Sequence, residues 1–309
     1  MCIKMSRIKM ITESSAYLKK YFLQTRLRMK TRPSFDEIDC YLACDPTGLY
    51  VAELDGTPIG IACVFKYGDG YCHGGAYYIE KKHRRSGYTL KLSEVIKMSE
   101  RFKSTANMTT YALTSGGLKA FKKSFGSGDF LYSVETHNLN SITAFKKLQA
   151  NSSDASSYHV RQVADVNFES LVKYDKVIFG YDRKQFLHKW LYSPASHACV
   201  ALDSEGSVAG YIVARESVVP NEGYKIGPLY CENISIANAL LKPVLQQINK
   251  QGSSSSIHIC CPIGKNLQVE ELLKSLDSEY VYKHSFIATN GLPRGHHEHW
   301  FAITSTLLG

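Results

Sequence analysis

The chain of 309 residues lacks any apolar run that approaches 18 residues, so its sequence predicts no membrane-spanning helix. Its first ten residues hold three basic side chains and no apolar segment, so they do not have the pattern of a secretory signal. Neither G-x-G-x-x-G nor G-x-x-x-x-G-K-[ST] occurs, which excludes the common dinucleotide and P-loop sites. Residues 1–35 contain one acidic residue, Glu13, which leaves an organelle-targeting segment as an alternative.

Paired cysteines are also missing. The sequence has nine cysteines, an odd number, and none of them forms a C-x-x-C pair. This usage indicates reduced thiols and predicts a cytoplasmic protein. Cys40 and Cys44 lie one helical turn apart, but no second pair completes a zinc site. The H-H-E-H run at residues 296–299 is interpreted as an exposed strand start, and no metal site is expected.

What is present is a composition typical of a globular protein, with 44% hydrophobic and 21% charged residues. The charge is uneven. Residues 1–150 hold 23 basic and 13 acidic side chains, a net charge of +10, whereas residues 151–309 hold 14 and 15, a net charge of −1. A basic half predicts an anionic ligand. Because the basic residues are scattered and no nucleic-acid module is present, we expect no nucleic-acid partner.

The chain also contains an internal repeat of roughly 150 residues on either side of a polar linker, residues 151–157. Residues 50–65 and residues 199–215 each read as a strand, an acidic or glycine turn and a second strand, which is a hairpin signal. We therefore predict two domains, residues 1–150 and residues 158–309. Each is expected to be α+β, with a mixed, largely antiparallel sheet flanked by helices.

Within each half, the pattern predicts two helices, the hairpin, a third strand, a helix, a further strand and helix, and closing strands. The first half is expected to begin with a strand at Ile8–Thr12 and to close with a strand at 129–136. The second half is expected to close at 280–288 and 298–306. The expected helices are 15–30, 34–44, 87–103, 116–124, 164–178, 182–192, 233–250 and 266–276.

The most informative stretch follows the third strand of the first half. A strand ending at Ile79 runs into the basic turn Arg84-Arg85-Ser86-Gly87 and then into an amphipathic helix. A helix N-terminus offers free backbone N–H groups, and two guanidinium groups stand beside them, so the turn predicts a phosphate or pyrophosphate site. A solvated helix cap is the structural alternative.

This junction resembles the acetyl-CoA loop of the GNAT acyltransferase superfamily, V-x-P-x-x-R-G-x-G-x-G/A followed by a helix. The matching positions are Ile79, Arg84, Gly87 and the core-facing Leu92. The departures are Lys81 for Pro, Arg85 for the first Gly and Thr89 for the last Gly or Ala.

The second half resembles the C-terminal domain of two-domain GNAT proteins. The resemblance rests on F-G-Y-D-R at 179–183, G-Y-I-V-A-R at 210–215, Y-K-I-G-P-L-Y at 224–230 and the ending A-I-T-S-T-L-L-G. Residues 231–236, C-E-N-I-S-I, contain neither Arg nor Gly where a pyrophosphate would bind. We therefore expect that the second copy has lost the cofactor and shapes the substrate side or an interface.

The resemblance implies an acyltransferase that moves an acetyl group, or another acyl group, from CoA to an amine by direct attack on the thioester. It implies acetyl-CoA as co-substrate, with the backbone N–H of Ile79 on the thioester carbonyl. The residues expected to bind acetyl-CoA are Tyr77, Ile79, Arg84, Arg85, Ser86, Gly87, Tyr88 and Thr89.

The general base and acid are less well defined. Family members often use a Glu as base, and Glu80 and Glu53 are the nearest carboxylates by strand order, although a surface ion pair is the alternative for either. The family's acidic Tyr has no counterpart, since the helix at 117–126 carries Phe121 and Lys122 in its place. The substitute acid is then solvent or a strand tyrosine that otherwise only packs on the sheet: Tyr77, Tyr78, Tyr111 or Tyr132.

In the second half, Arg183, Arg215 and Tyr230 are expected to line an acceptor pocket, in which an arginine could pair with a carboxylate. Buried ion pairs with Asp182 or Glu216 are the structural alternative.

Two other functions stay open at this point. One is a non-catalytic acyl-CoA-binding or protein-interaction module, because the helix tyrosine and two loop glycines are missing. The other is transfer of longer acyl chains, as in glycine N-acyltransferase-like tandem proteins. Those proteins typically keep the cofactor loop in the second copy, whereas this chain has it in the first.

Overall fold

The structure is a computed structural model that describes residues 7–10, 15–68, 70–98, 100–126, 128–150, 158–250 and 255–309. The predicted linker, residues 151–157, and the end of the predicted first strand lie outside the described residues. The elements of the first half are β1 (Arg7–Met10), α1 (Ala16–Arg28), α2 (Glu37–Cys44), β2 (Leu49–Leu54), β3 (Thr57–Tyr67), β4 (Tyr71–Ile79), α3 (Tyr88–Met98), α4 (Glu100–Lys103), β5 (Asn107–Ala112), α5 (Ser115–Phe125), β6 (Asp129–Asn140) and α6 (Ser141–Ala150).

The second half repeats this order. Its elements are β7 (His159–Gln162), α7 (Phe168–Phe179), α8 (Lys184–Leu191), β8 (Ser196–Leu202), β9 (Val208–Glu216), β10 (Tyr224–Cys231), α9 (Ile234–Asn249), β11 (Ser256–Ile263), α10 (Leu267–Ser275), β12 (Glu279–Ala288) and β13 (Trp300–Ala302). The predicted helices are confirmed to within a few residues, and the α+β class is confirmed. Helix α6 was not predicted.

The two hairpins form for local reasons. Between β2 and β3 the chain turns in two residues, Asp55 and Gly56, whose φ angles are 50° and 78°. Two successive positive φ angles are the mark of a type I′ turn, which suits Asp-Gly. Between β8 and β9 the loop is longer, and the Asp203 carboxylate accepts hydrogen bonds from the N–H groups of Glu205 and Ser207 at 2.9 and 2.8 Å.

All the described strands lie in one continuous sheet, and its halves exchange strands. The order is β1-β2-β3-β4-β5-β12-β6-β11-β10-β9-β8-β7, with β13 paired to β10. Strand β12 of the second half inserts between β5 and β6 of the first, and β6 then pairs with β11. The strands expected at 129–136 and 280–288 are present, but they pair with each other and with strands of the opposite half. The apolar pattern that identifies a strand does not specify its partner.

The helices cover both faces of this sheet. Helices α1, α2, α7 and α8 bury one shared core, in which Phe22 and Tyr41 of the first half join Trp190 and Tyr211 of the second. The rings of Tyr41 and Trp190 stack with centroids 6.4 Å apart. On the other face, one core lies under α3 and α5 and another under α9 and α10. The core on the first face therefore belongs to both halves.

The last predicted strand also differs from expectation. Residues 298–306 were expected to form a closing strand of the sheet. The structure has a short 3₁₀ turn at His297–His299 and a strand of three residues, β13, which pairs with β10 rather than with β12. Across the described residues, no helix combines the length and the apolarity that crossing a membrane would require.

The strand exchange predicts that residues 1–150 will not fold alone. In that fragment β5 loses its neighbour β12, and β6 loses both β12 and β11, so long strand edges become exposed. We expect the fragment to be insoluble or to lack a cooperative unfolding transition. Co-expression with residues 158–309 should give a soluble one-to-one complex, as measured by size-exclusion chromatography and circular dichroism. A folded, monomeric 1–150 fragment would contradict the prediction.

Candidate acyl-CoA site

The candidate site is a gap between two parallel strands of the first half. Strands β4 and β5 pair from Tyr71 opposite Asn107 to Gly74 opposite Thr110, and beyond this rung no described pair joins them. Strand β4 bends away there, since Ala76 has a φ angle of 50° and the pairing with β3 shifts register. Residues 75–79 therefore present one strand edge that pairs with no described strand, and the space beside it is called the gap below.

Backbone N–H groups line this edge. The N–H of Glu80 donates to the carbonyl of Ile59 on β3 at 2.8 Å. Because successive N–H groups of an extended strand alternate in direction, those of Ile79 and Tyr77 point the other way, into the gap. They can donate to amide and carbonyl oxygens of an extended ligand that lies beside β4.

The basic turn stands at the mouth of the gap. Residues 84–87 are all exposed, and α3 begins directly after them at Tyr88. The Arg84 Nε donates to the Ile79 carbonyl at 2.9 Å, which fixes the turn to the end of β4. The first N–H groups of a helix have no intrahelical partner, so the N-terminus of α3 can accept an anion.

The backbone angles and the burial of the residues in and after the turn can be compared with the GNAT pattern. Arg85 stands where the pattern has glycine, and its φ angle is 66°, in the left-handed region that favours glycine. Gly87 keeps the pattern and has a φ angle of 79°. Leu92 is fully buried, as the resemblance implied. Tyr88 is buried against Ile79, so its ring faces the core rather than the turn.

The corresponding gap of the second half is filled by the chain itself. Strands β10 and β11 pair from Tyr224 to Ile226 and then diverge. Strand β13 enters between them, pairing with Leu229 and Tyr230, and the Ile303 N–H donates to the Cys260 carbonyl at 2.9 Å. A pantetheine arm would have to displace this strand.

The N-terminal N–H groups of α9, the helix that follows the second gap, are also engaged. The Asn233 side chain accepts from the Ile236 N–H at 3.0 Å, and the Ile234 N–H donates to Gln268 at 2.7 Å. These side chains occupy the donors that the N-terminus of α9 would offer to a pyrophosphate.

Two family models match the chain. One, described as the acetyltransferase (GNAT) family, matches residues 16–110, and the other, described as an acetyltransferase (GNAT) domain, matches residues 171–302. Together they cover most of both halves. The chain is a tandem GNAT protein.

Relatives of this GNAT chain include the holothin acyltransferase of Pseudoalteromonas sp. (strain SANK 73390). The two are 27% identical over 266 residues, which cover 86% of this chain and 82% of the relative.

Solved structures share the tandem fold. An acetyltransferase structure from Pyrococcus horikoshii has a TM-score of 0.73 and 17% identity, and covers 100% of this chain and 98% of its own. A tandem GNAT protein from the clavulanic acid biosynthesis pathway has a TM-score of 0.65 and 12% identity, and covers 91% and 97%. At such identities the likeness establishes the fold alone.

The arginines expected at an acceptor pocket are instead structural. Arg183 is 5% exposed and binds both carboxylate oxygens of Asp175, at 2.7 and 2.8 Å. Arg215 is 2% exposed and pairs across the halves with Asp36 of the first. The alternative of buried ion pairs is the better description, although the partners differ from the Asp182 and Glu216 that we named.

Tyr230 is buried as well, with 0% of its surface exposed, and its hydroxyl lies 3.1 Å from the Thr304 hydroxyl. Thr304 also accepts from Arg183 at 2.9 Å. The partners could not be inferred from sequence, because Thr304 and Asp36 lie far along the chain from the groups they bind. These three residues have no surface to offer an acceptor in this conformation.

Glu80 lies beside the turn at the end of β4. Its carboxylate accepts from the Arg28 guanidinium at 2.8 Å and from the hydroxyls of Tyr21 and Tyr78 at 3.1 and 3.3 Å. Two of these donors belong to α1, which therefore fixes the carboxylate at the mouth of the gap. Glu53 is buried on β2, which is separated from β4 by β3.

The strand tyrosines fall into two groups. The hydroxyls of Tyr78 and Tyr132 are engaged, by Glu80 at 3.3 Å and by the His297 Nδ1 at 2.8 Å. Those of Tyr77 and Tyr111 are buried, with no partner at an ordinary hydrogen-bond distance among the described residues; Ser93 is a polar neighbour of Tyr77, and Tyr132 is one of Tyr111. Burial raises the pKa of both phenols. Tyr77 comes from β4 and Tyr111 from β5, so the two flank the gap.

The buried ion pairs yield a prediction about stability. Replacing Arg183 with Ala leaves Asp175 charged, buried and without its partner, so we expect a loss of about 3–5 kcal/mol of unfolding free energy. Lys176 offers a matched control, because its pair with Asp182 is exposed and 3.7 Å long. Lys176→Ala should change stability by less than about 1 kcal/mol. Urea unfolding measures both, and equal effects would contradict the assignment.

Proposed function

We propose that the protein binds acetyl-CoA, or another acyl-CoA, in its first half and transfers the acyl group to the amine of a small molecule. The observation that supports this most strongly is the difference between the two gaps. No described strand fills the first gap, which has an exposed basic turn at its mouth, whereas β13 fills the second. One acyl-CoA site per chain follows.

In this proposal the residues of the turn bind the pyrophosphate. Arg84 and Arg85 contribute charge, Gly87 lets the backbone approach closely, and Ser86, Tyr88 and Thr89 contribute backbone N–H groups at the start of α3. The N–H groups of Ile79 and Tyr77 donate to the pantetheine arm and to the thioester carbonyl oxygen. A donor aimed at that oxygen stabilises the negative charge that develops on it during attack.

Glu80 is the proposed general base. It takes a proton from the attacking neutral amine, directly or through water, while the amine nitrogen bonds to the carbonyl carbon. The carbon–sulfur bond then breaks and the CoA thiolate takes a proton. Tyr111 or Tyr77 is the proposed donor, because Tyr77 comes from β4 and Tyr111 from β5, the two strands that flank the gap. Solvent is the other source of that proton.

A small-molecule amine is the proposed acceptor because the relative that aligns along most of this chain is named for acyl transfer to holothin. The filled second gap argues against the glycine N-acyltransferase-like alternative, whose members keep the cofactor loop in that copy. We propose a cytoplasmic location, since the eight described cysteines are all free thiols.

A non-catalytic acyl-CoA-binding module is the second candidate. Two observations favour it. Glu80 is held by three donors, and α5 carries the buried Phe121 where the family has its acidic Tyr. Binding without turnover would distinguish this candidate from the first.

The location of the site is tested by removing the charge of the turn. Arg84→Ala with Arg85→Gly should weaken CoA binding by about 1–3 kcal/mol, because charge-assisted contacts to the pyrophosphate are lost. Glycine at 85 suits the positive φ angle of that residue, so the second substitution adds no backbone strain. Lys81→Ala with Lys82→Ala removes the same charge from exposed neighbours and serves as control. If calorimetry gives both double variants the wild-type affinity, the site lies elsewhere.

Turnover is tested with acetyl-CoA and a panel of amines that includes holothin, amino acids and polyamines. We expect release of free thiol above the hydrolytic background, at a rate that rises with pH as the amine deprotonates. Glu80→Gln should lower kcat while leaving CoA affinity unchanged. Tight CoA binding with no thiol release across the panel would instead support the binding module.

A further inference from the structure

The segment Ile303–Gly309 connects the two gaps. After β13 fills the gap of the second half, this segment passes Gly227, where an added Cβ would lie 2.5 Å from the carbonyl oxygens of Ile303 and Thr304. It then reaches the first half at Gly75, where an added Cβ would lie 2.9 Å from the Leu307 Cδ2. The second half therefore touches the lower end of the open gap.

Gly75 is the first residue of β4 beyond the last rung that joins it to β5. Leu307 covers it on one face of the sheet, with its Cα 3.1 Å from the same added Cβ. On the opposite face, an added Cβ at Gly74 would lie 2.5 Å from the Met108 Cε. Leu307 and Met108 are 2% and 1% exposed. Leu307 and Met108 thus cover opposite faces of β4 at the lower end of the gap.

Hydrogen bonds hold the covering segment in place. Tyr67 donates to the Leu308 carbonyl at 2.8 Å, and the His73 Nε2 lies 3.4 Å from the Thr306 carbonyl oxygen. His73 is fully buried and its Nδ1 lies 2.8 Å from the Thr109 hydroxyl. Burial lowers the pKa of His73 to about 4, so its ring is neutral near pH 7. The segment Ile303–Gly309 is therefore fixed by hydrogen bonds to buried residues of the first half.

We propose that Leu307, from the second half, limits the acyl group that the first half accepts to two or three carbons. This inference rests on the proposed function. Residues 75–79 span roughly 13 Å at the rise of a β-strand. A pantetheine arm anchored at the turn and extended along this edge accepts from the Ile79 N–H and places its thioester at the Tyr77 N–H, so that the acyl group points towards the lower end of the gap. Further acyl carbons then approach Gly75 and Gly74, whose faces are covered by Leu307 and Met108.

The test is a series of CoA, acetyl-CoA, propionyl-CoA, butyryl-CoA and hexanoyl-CoA, with affinities for the full chain measured by calorimetry. In the wild type, we expect acetyl-CoA and propionyl-CoA to bind alike and hexanoyl-CoA at least about tenfold more weakly, since a misfitting methylene costs tenfold or more. Leu307→Ala should restore hexanoyl-CoA to within a few-fold of acetyl-CoA, with the affinity for CoA unchanged.

Leu308→Ala is the matched control, because Leu308 is equally buried and adjacent but is not the residue that meets Gly75. Leu307→Val and Met108→Val are milder variants that should shift the same preference if Leu307→Ala does not fold. Wild-type binding of hexanoyl-CoA as tight as that of acetyl-CoA would overturn the inference. The inference would also be overturned if folded variants at positions 307 and 108 kept the wild-type order of affinities for the acyl-CoA series. If CoA itself does not bind the wild type, the proposed function fails and this inference fails with it.

Discussion

The exchange of strands between the halves is the constraint on which the rest of the structure depends. Strand β12 completes the sheet of the first half beside β5, and β6 completes that of the second beside β11. Backbone hydrogen bonds of central strands must be made somewhere, and here each half makes them with the other. The shared core of Tyr41 and Trp190 and the cross-half pair of Arg215 with Asp36 follow from that arrangement.

The same arrangement explains why two copies of one fold differ in structure where their parallel strands diverge. Both have a pair of parallel strands that diverge, β4 with β5 and β10 with β11. A diverging pair leaves backbone donors that need a partner. In the second half the partner is β13, so the polar groups are satisfied within the chain. In the first half they face a gap, and an extended ligand with amide and carbonyl groups is suited to satisfy them.

The net charges of the two halves differ in parallel with their gaps. The net charge of +10 lies on the half with the open gap, and the half whose gap is filled is close to neutral. In the second half the arginines of the core are neutralised by buried carboxylates, as Arg183 is by Asp175. A buried charge without a partner is energetically costly, so these arginines are committed to their carboxylate partners within the fold. Arg84 and Arg85 are exposed and can bind a phosphate.

The sequence by itself determined the local features. The Asp55-Gly56 turn, the helix that starts at Tyr88 and the repeated order of elements follow from turn chemistry and apolar period, which act over a few residues. Only the tertiary structure decided which strands pair across the halves, that residues 300–302 fill the second gap, and that Leu307 reaches Gly75. Those contacts join residues 70 to 232 positions apart. The pattern of apolar and polar residues along one chain does not specify the partner that each strand edge meets.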